Sequence, residues 1–146
     1  MEKFAALVRA NDLEPLRFLV VDDSMFARRN LARMVESFGG RVAGEAGDGS
    51  TAVTEYARSR PDMVLMDIVM PCMEGVEALD RILLHDPEAR VVMVSSVGYQ
   101  ENIVTALRKG AKHFIQKPVK PELLYEVVKF VMGSAAVSAA PAGAIS

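Results

Sequence analysis

The chain has one cysteine in 146 residues, Cys72, so no disulfide can close within it. It has no apolar run long enough to span a bilayer and no visible signal peptide with a cleavage site, which sets the expectation of a cytoplasmic protein. Neither sign of charge is in excess, with 17 Lys and Arg against 19 Asp and Glu and a formal net charge of -2. Such a balance offers no general attraction to nucleic acid or to an anionic membrane, so direct binding to either is not expected and any partner must be recognised locally. No internal repeat is apparent. What the chain does have is apolar material: 51% hydrophobic residues beside 25% charged ones are enough to bury one core in one domain of ordinary size.

Short apolar runs alternate with amphipathic stretches. Phe18 to Val21, Arg41 to Ala46, Met63 to Met66, Val91 to Val94 and His113 to Gln116 read as five strands. After the first, Ala27, Leu31, Met34, Val35 and Phe38 recur at helical spacing while Arg28, Arg29, Arg33 and Glu36 fall elsewhere, and Gly39-Gly40 stops the helix. Further helices are predicted near Thr51 to Arg58, Val76 to His85, Glu101 to Lys109 and Glu122 to Met132. Apolar strands alternating with one-face-buried helices predict an α/β fold: a doubly wound parallel sheet between two helical layers. In residues 1–16, an N-terminal extension, Phe4, Leu7 and Val8 suit one stripe of a short additional helix. Residues 133–146 are mostly Ala, Ser, Gly and Pro and read as a flexible tail or a truncated linker.

The first strand ends in FLVVDDS, where four apolar residues run directly into Asp22 and Asp23. Adjacent carboxylates at the mouth of an apolar layer repel each other and resist desolvation, so a helix N-terminus, a proton or a cation must hold them. In an open parallel sheet, ligands bind beyond the carboxyl ends of the strands, which makes Asp22, Asp23, Asp67, Ser95 and Lys117 one set. Together they suit a divalent cation and a phosphoryl group. Separately each has a plainer role: Asp22-Asp23-Ser24 could cap the following helix, Asp67 could begin a loop, Ser95 could bond nearby backbone, and Lys117 could be solvated beside a restricted Pro118.

The ordered combination of VVDDS, MDIVMPCMEG, MVSS and GAKHFIQKP resembles the receiver domain of two-component response regulators over Arg17 to Met132, most nearly the single-domain chemotaxis type. The resemblance implies a flavodoxin-like three-layer fold with strand order 2-1-3-4-5. It also implies that Asp67 is the phosphoacceptor, taking a phosphoryl group from a phosphohistidine of a sensor histidine kinase or phosphotransfer protein. Mg²⁺ would be held by Asp23, Asp67 and the Val69 backbone carbonyl, with Asp22 acting mostly through a coordinated water. Lys117 and Ser95 would meet the phosphoryl oxygens, and Ser95 and Phe114 would form the switch. The output would be a downstream protein or a second copy, engaged through the fourth helix, fifth strand and fifth helix. On this reading the chain is no enzyme beyond catalysing its own phosphorylation and dephosphorylation.

Three departures qualify the resemblance. Glu74 stands where the family usually has Asp before its glycine, here Gly75, and Val69 and Val97 put apolar groups where some relatives position an attacking water. Other readings are a haloacid-dehalogenase-like phosphatase, a fold-retaining module that signals without phosphorylation, and the receiver fragment of a larger regulator such as a chemotaxis methylesterase. The phosphatase reading lacks its usual second acid, because Val69 occupies that place.

Overall fold

In the computed structural model, which describes residues 4–70, 73–96 and 100–139, the chain runs β1 (Ala6–Arg9), β2 (Arg17–Val21), α1 (Met25–Ser37), β3 (Arg41–Ala46), α2 (Gly49–Ser59), β4 (Met63–Asp67), α3 (Gly75–His85), β5 (Val91–Ser95), α4 (Gln100–Lys109), β6 (His113–Gln116), α5 (Pro121–Met132) and β7 (Ala136–Ala139). Every apolar run expected to be a strand is one. Five strands form a parallel sheet in the order β3-β2-β4-β5-β6, which is 2-1-3-4-5 when only the strands of this sheet are counted.

Alternation along the strands divides the core in two. Phe18 and Val20 of β2 face a layer built with Leu31 and Val35 of α1 and Leu124, Val127 and Val128 of α5. Leu19 and Val21 face the opposite layer, with Ala52 of α2, Leu79 and Ile82 of α3 and Ala106 of α4. A period of two in the strands thus meets a helical stripe on each side, and both faces of the sheet are covered. From β2 the chain crosses outward to β3 and then returns past β2 to β4, so the switch in direction lies between β2 and β4. The parallel register sets Val21 beside Met66, which brings the residues after β2 level with the end of β4.

The chain ends differ from expectation. The short helix predicted in the N-terminal extension is instead strand β1, and the tail expected to be flexible contributes β7, its antiparallel partner, with Ala6 opposite Ala139 and Arg9 opposite Ala136. Residues 140–146 lie outside the described part. A strand satisfies its polar backbone through a neighbour whatever its side chains are, so an Ala and Ser segment can serve. The ribbon is fixed to the domain as well: the Leu7 amide donates to the Phe38 carbonyl at 2.9 Å, and the Tyr125 hydroxyl donates to the Ala5 carbonyl at 3.0 Å. Phe4 stacks on Tyr125 with ring centroids 4.7 Å apart, and Tyr125 meets Phe38 edge-on at 5.5 Å. Leu7 is buried in the same core cluster as Leu16, Phe18 and Phe38.

If this ribbon is part of the core, Leu7→Ala should cost about 2–5 kcal/mol in chemical denaturation, the range for removing a buried leucine side chain. Leu84→Ala, at a residue 84% exposed on α3, should change stability by under about 0.5 kcal/mol. Equal, small effects at both positions would mean that the extension does not pack on the domain.

Candidate functional site

The carboxyl ends of four strands converge. Val21 pairs with Met66, Asp67 with Val94 and Ser95 with Gln116, so Asp22, Asp23, Asp67, Ser95 and Lys117 lie along one edge of the sheet. Asp22, Asp67 and Ser95 are buried, Lys117 is partly buried and Asp23 is exposed.

The acidic pair does not cap α1. Ser24 is the N-cap, its hydroxyl accepting from the Ala27 amide at 3.2 Å, while Asp22 Oδ1 accepts from the Ser24 amide at 2.9 Å. Asp22 Oδ2 accepts from Lys117 Nζ at 2.8 Å, and the same ammonium lies 3.5 Å from Asp67 Oδ2. The lysine therefore bridges two carboxylates and sits closer to Asp22. Desolvation works against its charge, but the Asp22 hydrogen bond and the charges of Asp67 and Asp22 outweigh it, so its pKa is raised. Burial pushes the Asp67 carboxyl above the usual carboxylate range and neighbouring Asp22 adds to this, against the opposing pull of Lys117 and the Val69 amide. The peptide between Lys117 and Pro118 is cis.

Carboxylate oxygens of Asp22, Asp23 and Asp67 lie within 4.8 Å of one another. Two like charges at that separation repel by roughly 3–4 kcal/mol at an effective dielectric constant near 20, and a divalent cation between them reverses the sign. Mg²⁺ holds oxygens at about 2.0–2.1 Å, so two direct ligands are at most about 4.2 Å apart. Neighbouring ligands of an octahedral ion lie only about 2.9 Å apart, so two directly bound carboxylates draw together on binding while a third can act through a water. The donor set, all hard oxygen, fits such an ion.

The remaining predicted residues are placed less uniformly. Val69 is 39% exposed beside the cluster, its amide 3.4 Å from Asp67 Oδ1. The Ser95 hydroxyl donates to the Ser96 carbonyl at 2.9 Å rather than to Asp67. Phe114 is partly buried against the layer formed with α2, α3 and α4. Glu74 is the N-cap of α3 without a side-chain cap bond, and Gly75 donates its amide to the Ile68 carbonyl at 2.8 Å. A Cβ at Gly75 would run into the Asp67 carbonyl, so close approach rather than a left-handed turn demands glycine there. Val97 lies outside the described residues. One neighbour of the site went unread in the sequence: Arg28, whose guanidinium reaches back from the first turn of α1 to the Asp22 carbonyl.

A doubly wound sheet with an acidic triad and a lysine at its switch edge defines the class, and comparison with known proteins agrees. Residues 18–129 match the response regulator receiver domain, and the chain belongs to that family. It is 42% identical over 114 residues to the chemotaxis protein CheY of Listeria monocytogenes, an alignment covering 78% of this chain and 96% of that one. Among solved structures it resembles the CheX-CheY-BeF3-Mg complex of Borrelia burgdorferi, with a TM-score of 0.81, 35% identity, and 86% and 95% of the two chains covered. It also resembles the response regulator domain of Thermotoga maritima CheB, with a TM-score of 0.73, 38% identity, and 81% and 97% covered. No helix among the described residues is long and apolar enough to cross a membrane.

Because the folded protein holds the Asp67 proton to a higher pH than the unfolded chain does, stability falls as pH rises above the unfolded value of about 3.9. Ionised Asp67 is a net cost at neutral pH. Without metal, Asp67→Asn should therefore melt above the parent at pH 7, and the gain should vanish below about pH 4. Thermal unfolding at the two pH values checks this; a variant no more stable than the parent at pH 7 would contradict it.

Proposed function

We propose that this receiver accepts a phosphoryl group on Asp67 from a phosphohistidine of a sensor histidine kinase or phosphotransfer protein, with Mg²⁺ bound at Asp23, Asp67 and the Val69 carbonyl. The observation that carries this reading is the convergence of two further carboxylates, Asp22 and Asp23, and one ammonium on Asp67 at the sheet edge. An Asp67 oxygen attacks phosphorus; the new O–P bond forms as the N–P bond breaks, and the leaving imidazole takes up a proton. When bound, Mg²⁺ supplies positive charge to the phosphoryl oxygens and offsets the repulsion among the carboxylates. Asp22 orients Lys117, and Lys117 is within reach of a group built on Asp67 Oδ2. The similar Borrelia CheY, solved with BeF3 and Mg, supports the same ligand chemistry here. The likeness to the response regulator domain of a CheB supports a second setting, in which the same receiver chemistry serves a larger regulator.

Incubation with a small phosphodonor and Mg²⁺ should add one phosphate, seen by intact mass as an acid-stable, base-labile adduct. It should be absent without metal and in Asp67→Asn. An unchanged adduct in Asp67→Asn would remove the assignment.

The signal leaves, on this reading, through α4, β6 and α5, toward a downstream protein or a second copy. Apolar side chains are already exposed there, Val104 and Leu107 on α4 and Leu123 and Phe130 on α5, with His113 of β6 edge-on to Phe130 at 5.8 Å. New acceptor oxygens on Asp67 compete with the Ser96 carbonyl for the Ser95 hydroxyl, and the backbone at Ser96 shifts with it, freeing space for the Phe114 ring. Beryllofluoride, an acyl-phosphate mimic, should change hydrogen exchange across Glu101 to Phe114. Changes confined to the loops around Asp67 would assign the output to another face.

A further inference from the structure

The two members of the acidic pair are held by different means. Both oxygens of Asp22 are engaged, one by the Ser24 amide and one by Lys117. Asp23 is exposed, and its carboxylate makes no hydrogen bond among the described residues, so the point from which it reaches out is set only by the backbone that carries it. The peptide joining Asp22 to Asp23 has its carbonyl on Asp22, and the group that holds that carbonyl is the guanidinium of Arg28, through Nη1. Arg28 is itself fixed: its Nε donates to Glu45 Oε1 at 3.0 Å, and its side chain is only 16% exposed. Glu45 lies in β3, which pairs with β2 through Val20. One planar side chain therefore ties the peptide before Asp23 to the edge strand of the sheet.

We infer that Arg28 is a positioning residue for the cation site: bridging the Asp22 carbonyl and Glu45, it fixes the backbone from which Asp23 reaches a divalent ion. The inference rests on the functional reading above. Its sign separates it from simple electrostatics. A positive charge beside three carboxylates repels an incoming cation, so charge alone predicts tighter Mg²⁺ binding when Arg28 is neutralised. Positioning predicts the reverse, because a ligand that must be ordered on binding loses affinity. Partners that orient metal ligands are typically worth 10–100-fold in metal affinity. Lysine keeps the charge but not the planar fork that serves two acceptors at once.

The experiment is Mg²⁺ titration of the unphosphorylated full chain by calorimetry, for the parent, Arg28→Gln and Arg28→Lys, with the NMR order parameter of the Asp23 amide measured without metal. The expected result is Mg²⁺ affinity weakened about 10-fold in both variants, the lower end of that range, with lower order at Asp23 before any metal is added. Tighter binding in Arg28→Gln, unchanged binding in either variant, or unchanged order at Asp23 would overturn the inference while leaving the site reading intact. A parent chain that binds no Mg²⁺ would overturn the site reading first and this inference with it. If Arg28→Gln does not fold, Arg28→Lys decides alone: parental affinity there means that charge suffices and overturns the inference.

Discussion

A carboxylate as enclosed as Asp22, 1% exposed, needs both oxygens occupied, and one of them depends on a lysine 95 residues away in the chain. The rest of the site follows from that contact. Lys117 arrives only if β2, β4, β5 and β6 lie in the observed parallel register. A slip of one residue in β6 would carry Lys117 about 3.3 Å along the strand and turn alternate side chains to the opposite face. The register is protected by the core, since the same slip would move Ile115 out of the layer it shares with α1 and α5 and bring Phe114 into it. Packing on both faces thus fixes the geometry of a polar cluster at the edge.

The cluster is arranged for an incoming charge rather than for its own stability. Burial and Asp22 work against ionisation of Asp67, and the Lys117 ammonium is shared, closer to Asp22 than to Asp67. A buried carboxylate left short of positive charge is a cost in the isolated fold, and under the proposed function a cation plus a phosphoryl group relieves it. The Ser95 hydroxyl is similarly engaged elsewhere, on the Ser96 carbonyl, where a better acceptor at Asp67 could compete for it.

Most of the site was legible in the sequence because each polar member directly follows an apolar strand, and the ends of parallel strands share an edge. Other features were not. The β1–β7 ribbon has little side-chain signal, as Ala136–Ala139 reads AVSA and depends on backbone pairing with a segment more than a hundred residues earlier. Arg28 appeared to belong to the solvent face of α1 because it falls off the apolar stripe. Helical side chains lean toward the N-terminus, however, so a long residue in the first turn covers the loop before the helix, and that loop is the acidic pair. The need for glycine at position 75 was likewise not legible, since it comes from the close approach of its backbone to Asp67 and not from a positive φ.

The ribbon bears on the site through the helices it joins. Tyr125 of α5 is gripped by Phe4 on one side and Phe38 on the other, and its hydroxyl is tied to Ala5, so the N-terminal extension, the end of α1 and α5 share one aromatic cluster. α1 begins at the acidic pair, and α5 begins just after Lys117 and Pro118. Both helices therefore start at the chemistry and pack together under the ribbon. Close-packed interiors resist gradual deformation, so a rearrangement around Asp67 meets the most resistance on this face of the sheet. The opposite layer holds Phe114 only partly buried, and α4 contributes a single buried residue, Ala106. Under the proposed function, this unequal anchoring favours movement toward α4, where Val104 and Leu107 already stand exposed.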